Sequence, residues 1–127
     1  MKCVVFYRGW EYDCCGEDFA IGETLTQYGN LPHDDCLEIC GRKIDYFLFT
    51  HDGLNDEIYF EIEGTIIKIE LVYEKYGINN NKNDILIDSK IIEVKNSKDF
   101  KIIDDFHFEG FLITLEAKHI NKCDEPW

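Results

Sequence analysis

Apolar residues recur along the chain mainly with a period of two, in short runs separated by glycine, asparagine and acidic turns. Residues 2–7, Lys2-Cys3-Val4-Val5-Phe6-Tyr7, are β-branched and aromatic and predict a first strand. Residues 9–22 hold Gly9, Asp13, Gly16, Asp18 and Gly22, which predicts a turn-rich loop pinned to the core by Trp10, Phe19 and Ile21. Residues 23–28 predict a second strand. After Gly29-Asn30-Leu31-Pro32, residues 33–40 predict a short helix. Asp34 or Asp35 can cap it, Gly41 can end it, and Cys36 and Cys40 would share one side.

Alternation then returns at residues 44–49, 58–63 and 67–73, with a bulge or bend expected at Gly64. Past the asparagine-rich tip at 79–83, strands are predicted at 85–87, 91–95, 101–106 and 111–117, while 118–127 shows no period. Many short strands and one short helix near 33–40 predict a mostly β fold. The expected architecture is a small single-domain barrel or sandwich, SH3-like or related, spanning residues 1–127.

Composition sharpens that picture through charge. The chain has 127 residues, with 13 Lys and Arg against 26 Asp and Glu, giving −13 at pH 7. Aromatic residues make up 14%, which sets it apart from disordered acidic tails. The charge is concentrated: residues 11–63 hold 14 acids against only Arg42 and Lys43, a local −12. Such an excess opposes nucleic-acid phosphates and anionic membranes and favours basic partners. No apolar run approaches the roughly 18 residues that span a membrane. The first ten residues lack the apolar core and cleavage site of a signal peptide, so the expected compartment is the cytoplasm, with the six cysteines reduced.

Trp10, Cys14-Cys15-Gly16, Phe19 and Gly22 follow the pattern Trp, then Cys-Cys-Gly-x-x-Phe-x-x-Gly. This stretch resembles the opening of a small bacterial family of unknown function. Leu25, His51 and Gly64-Thr65-Ile66-Ile67 extend the resemblance to about half of the chain. It implies a bacterial origin and a compact β-rich domain, and it brings no reaction with it.

Three chemistries can be read from the residues. His33, Cys36 and Cys40, with Cys14 or Cys15 as a fourth ligand, could hold zinc tetrahedrally, against the plainer use of these cysteines as small buried apolar groups. Cys14 or Cys15 could be a nucleophile activated by His51, making the chain a thiol-dependent enzyme or redox protein. Only one of two adjacent cysteines in extended backbone could face that histidine. The acid pairs Asp34-Asp35 and Asp104-Asp105 read as capping or solvated groups.

Binding is the reading that the charge favours. Trp10 with Glu11, Asp13, Glu17 and Asp18, joined by Glu57, Glu61 and Glu63, would form an aromatic anchor ringed by acids. The expected function is an acidic module that neutralises a basic protein, as a toxin-immunity protein or a nucleic-acid-mimicking inhibitor. No cofactor is expected, zinc apart. A housekeeping β-barrel that binds an unknown ligand is the third possibility.

Overall fold

The computed structural model describes residues 1–15, 17–32, 38–49, 59–78 and 84–123. Its elements in chain order are β1 (Lys2–Arg8), α1 (Gly9–Cys15), β2 (Thr24–Asn30), β3 (Glu38–Ile39), β4 (Arg42–Lys43), β5 (Tyr46–Phe49), β6 (Tyr59–Ile78), β7 (Asp84–Val94) and β8 (His107–Cys123), with a 3-10 turn at Ser97–Asp99. Six strands form one sheet in the order β2-β5-β1-β8-β6-β7, and β2 also pairs with β6. That extra pairing closes a five-stranded ring, so the architecture is a barrel and not a sandwich. Closure leaves no free edge within the ring.

The 20-residue β6 explains how one sheet both closes and extends. Its first part pairs with β2, from Phe60 against Gly29 to Thr65 against Thr24. From Ile69 onward the same side pairs with β7, while β8 follows the other side along most of the strand. Gly64 sits at a register shift against β8, and a Cβ there would lie 2.8 Å from the Glu116 carbonyl oxygen. The expected bend at Gly64 is therefore a bulge made possible by the missing side chain.

Alternation sorts side chains to two cores. Val5, Leu48, Ile62, Ile66, Ile69, Leu71, Phe111, Ile113 and Leu115 point inward and are fully buried. Each contributes about 1.5–3 kcal/mol by leaving water. On the outer face, Phe6, Ile44, Phe47, Val72 and Leu112 form a second cluster under the β3–β4 hairpin. Glu70, 5% exposed, is paired there with Arg42 at 3.2 Å and Lys68 at 3.7 Å. The hairpin is thus fastened by apolar contact and by an ion pair from β4.

Several sequence expectations change. Of the helix expected at 33–40, residues 33–37 lie outside the described part, and Glu38 and Ile39 are a strand paired with Lys43 and Arg42. Cys40 and Gly41 form the two-residue turn between them, at φ +50° and +77°. Positive φ at both positions matches the twist of a tight hairpin. The described helix is instead at Gly9–Cys15, where a loop was expected. It forms because the half-buried Tyr12 ring packs edge-on against Phe111 at 5.0 Å and Phe19 at 5.9 Å. The strand expected at 101–106 is replaced by a turn at Asp104 and Asp105, closed by Phe106 N–H donating to the Ile103 carbonyl at 3.1 Å. The strands expected at 85–87 and 91–95 merge into β7, which ends at Val94, and β8 runs on to Cys123, into the segment that showed no period.

Candidate functional site

Residues 17–23 close one end of the barrel, and their backbone is stitched to two strands. Ile21 N–H donates to the Lys95 carbonyl at 2.9 Å and Gly22 N–H to Ile66 at 2.8 Å, while Ile66 N–H donates back to Glu23 at 2.9 Å. Phe19, 5% exposed, enters the core and meets Phe111 at 5.0 Å. Ser97 locks the segment to the 3-10 turn. Its N–H donates to the Phe19 carbonyl at 2.8 Å, and its Oγ accepts from Phe19 N–H at 2.9 Å.

Asp18 lies at the centre of this lock. The Tyr12 hydroxyl donates to its carboxylate, and Lys98 Nζ lies 3.6 Å away. The Tyr12 donation, then the Lys98 charge, hold the Asp18 carboxyl below the usual carboxylate range. Burial, and then its bond to Asp18, push the Tyr12 hydroxyl up. Asp18 therefore spends part of its charge inside the protein.

Beside this plug lies a cleft of about 690 Å³. Tyr7 and Phe19 contribute rings to it, Glu17, Asp18 and Glu23 contribute acids, and Thr24 to Gln27 of β2 form a wall. Glu17, Asp18 and Glu23 are exposed. The acidic surface continues across the barrel wall. The Thr26 hydroxyl donates to Glu63 at 3.3 Å, and Thr26 faces Glu63 across the β2–β6 pairing. His119 on β8 lies beside both remaining acids, 3.9 Å from Glu61 and 4.0 Å from Glu63. Glu17, Asp18, Glu23, Glu63 and Glu61 thus form one strip, with Thr26 as its link.

Of the residues expected to bind a partner, Trp10 is 61% exposed on α1 and Asp13 is exposed beside it. Glu17, Asp18, Glu61 and Glu63 fall on the strip, Glu57 lies outside the described residues, and nothing is described of the Glu11 side chain. Sequence reasoning missed Thr26, Ser97 and His119. Thr26 was signalled by the alternation of Thr24 and Thr26 on one face of β2; Ser97 had no signal, because its partners are 78 and 85 residues away.

For the thiol chemistry, His51 and the Cys14 and Cys15 side chains lie outside the described parts. Cys3 is in the barrel core, and burial, aided by Asp45, pushes its thiol up to about 12, which disfavours the reactive thiolate. For the zinc set, His33 and Cys36 lie outside the described residues and Cys40 occupies the hairpin turn. Among the described residues, no group of three or more His, Cys, Asp or Glu is arranged to hold a metal ion. Among them, too, no helix is long and apolar enough to cross a membrane.

Fold and site together define a small β-barrel, closed at one end by an aromatic plug and carrying an acidic cleft beside it. The chain belongs to the family of unknown function DUF6578, which its residues 1–117 match. No curated protein and no solved structure matches it.

Proposed function

We propose that this chain is an acidic binding module that neutralises a basic protein in a bacterial cytoplasm. The partner would be a toxin, with this chain as its immunity protein, or a nucleic-acid-binding protein whose phosphate-binding surface the acids imitate. The observation that carries the reading is the strip of Glu17, Asp18, Glu23, Glu63 and Glu61 beside a cleft floored by Tyr7 and Phe19. The acids raise the encounter rate with a cationic surface, and Trp10, exposed on α1, supplies apolar area that charge alone does not. Cys14 and Cys15, the last residues of α1, lead in this reading toward the plug.

The test is capture from a lysate of the source organism on immobilised protein, at low and moderate salt. The control is a variant carrying Glu17→Lys, Glu23→Lys and Glu63→Lys, all at exposed or half-buried positions. A basic protein held by the natural chain and released by the triple variant is expected. Recovery of no basic protein at either salt overturns the proposal.

A further inference from the structure

The outer face of the sheet carries a second groove, of about 410 Å³, where the β3–β4 hairpin faces the β6–β7 hairpin. Phe6, Phe47 and Leu86 give it apolar surface, and Glu38, Glu74 and Glu109 give it three carboxylates against one guanidinium, Arg8. That guanidinium already lies over the Phe47 ring, 5.0 Å from its centre.

Two irregularities in strand pairing build the groove. On β8, Val72 pairs with Gly110 and Tyr73 with Phe108, so Glu109 is an extra residue. Such a bulge re-aims its side chain, here into the groove. The bulge depends on Gly110, at φ +155°, where a Cβ would strike the Tyr7 carbonyl oxygen and lie 2.8 Å from Phe6 Cζ. On β7, Lys75 pairs with Asp88 and Tyr76 with Leu86, so Ile87 is extra. Strict alternation would put Ser89 on the same face as Ile87; the shift puts Leu86 into the groove with Ser89 instead.

The carboxylates are oriented and in tension. Glu74 accepts from the Tyr76 hydroxyl at 3.1 Å. Burial, and after it the charge of Glu74, push the Glu109 carboxyl above the usual range, with His107 acting the other way. A cation set between the two would offset their mutual repulsion and favour the charged form of Glu109. Lys and Arg suit such a place because their stems lie on apolar surface while the head reaches the acids.

We propose that this groove receives a Lys or Arg side chain of the partner protein, its aliphatic stem against Leu86 and Ile39 and its cationic head at Glu74 and Glu109. The proposal rests on the basic-partner reading and deepens it, because it adds a discrete anchor pocket on a different face from the acidic cleft.

The probe is hexylguanidinium, titrated into isotopically labelled protein and followed by backbone amide shifts, with guanidinium and hexanol as controls. Saturable shifts are expected at Ile39, Phe47, Leu86 and Glu109, with weaker response to either control. The double variant Glu74→Gln, Glu109→Gln should bind about fivefold or more weakly, because it keeps shape and loses charge. The variant Glu116→Gln, which removes an exposed carboxylate outside the groove, should bind as the natural chain does. Equal binding by the groove variant, or shifts centred on the cleft, overturns the proposal. The lysate capture separates the two readings. If a basic protein is captured equally by the natural chain and the groove variant but lost by the triple charge reversal, the groove is not its anchor and the basic-partner reading stands. If no basic protein is captured, the partner reading fails, and the groove's role falls with it whatever the titration shows.

Discussion

At the scale of single residues, the two bulges decide what the outer face offers, and Glu109 carries the clearest consequence. Its carboxyl is raised by burial and by Glu74, so the folded protein holds that proton more tightly than the unfolded chain does. For an acid shifted upward, the folded state suffers no penalty below the unfolded value. The penalty grows as pH rises toward the folded value and is complete above it. Glu109→Gln removes a charge that is uncomfortable in the fold. The variant should therefore have a higher urea midpoint than the natural chain at neutral pH, and the advantage should vanish under acid conditions where glutamate is protonated in both states. A variant no more stable at neutral pH would show that Glu109 sits comfortably as a carboxylate. Gain of stability with loss of cation binding is the signature of a group kept for binding. Sequence alone could not single out Glu109, because a bulge exists only in the register between two strands. The acidic strip was partly legible: the −12 between residues 11 and 63 announced it, while the partition of Asp18 toward Tyr12 and Lys98 depended on contacts across the chain.

At the scale of elements, the β3–β4 hairpin covers the outer face and forms one wall of the groove. Ile44, 1% exposed, joins it to Phe6, Phe47, Val72 and Leu112, and Arg42 adds its pair with Glu70. Ile44→Ala should cost about 3 kcal/mol by leaving a cavity that the strands below cannot fill. It should also loosen the hairpin first, so that amide exchange at Arg42 quickens more than at Ile62 inside the barrel. Equal acceleration at both would mean that hairpin and barrel open as one unit. β1 was legible as a β-branched and aromatic run, and the β6 stretch around Ile62 as a period of two with one buried face. The elements that were not legible depend on partners far along the chain. Helix α1 contains Gly9 and Asp13, poor helix formers, and exists because Tyr12 finds Phe111 and Phe19. Strand β7 is interrupted by Asp88, Ser89 and Lys90, and its continuity comes from the ladder with β6.

At the scale of the whole molecule, a ring of five strands holds together a chain carrying −13 at pH 7. Among the described residues, ion pairs offset little of that charge: Lys98–Asp18 is exposed, and Glu70 is the one buried acid among the pairs. Exposed pairs contribute about 0–1 kcal/mol each, so repulsion among the surplus carboxylates should prevail. At about 10 mM salt the screening length is roughly 30 Å, which spans a domain of this size; at about 150 mM it is roughly 8 Å, shorter than the strip is expected to feel. Raising sodium chloride between those values should therefore raise the urea midpoint of the protein alone. The same change should weaken capture of a basic partner, because screening removes the attraction between the two surfaces together with the repulsion within one. The opposite directions make the pair of measurements informative. If the midpoint falls with salt, attractive pairs dominate the fold, and the acids are spent internally and not reserved for a partner. If the midpoint rises but capture is insensitive to salt, the partner is held by apolar contact at Trp10 and the grooves, and the strip serves only to keep the chain soluble.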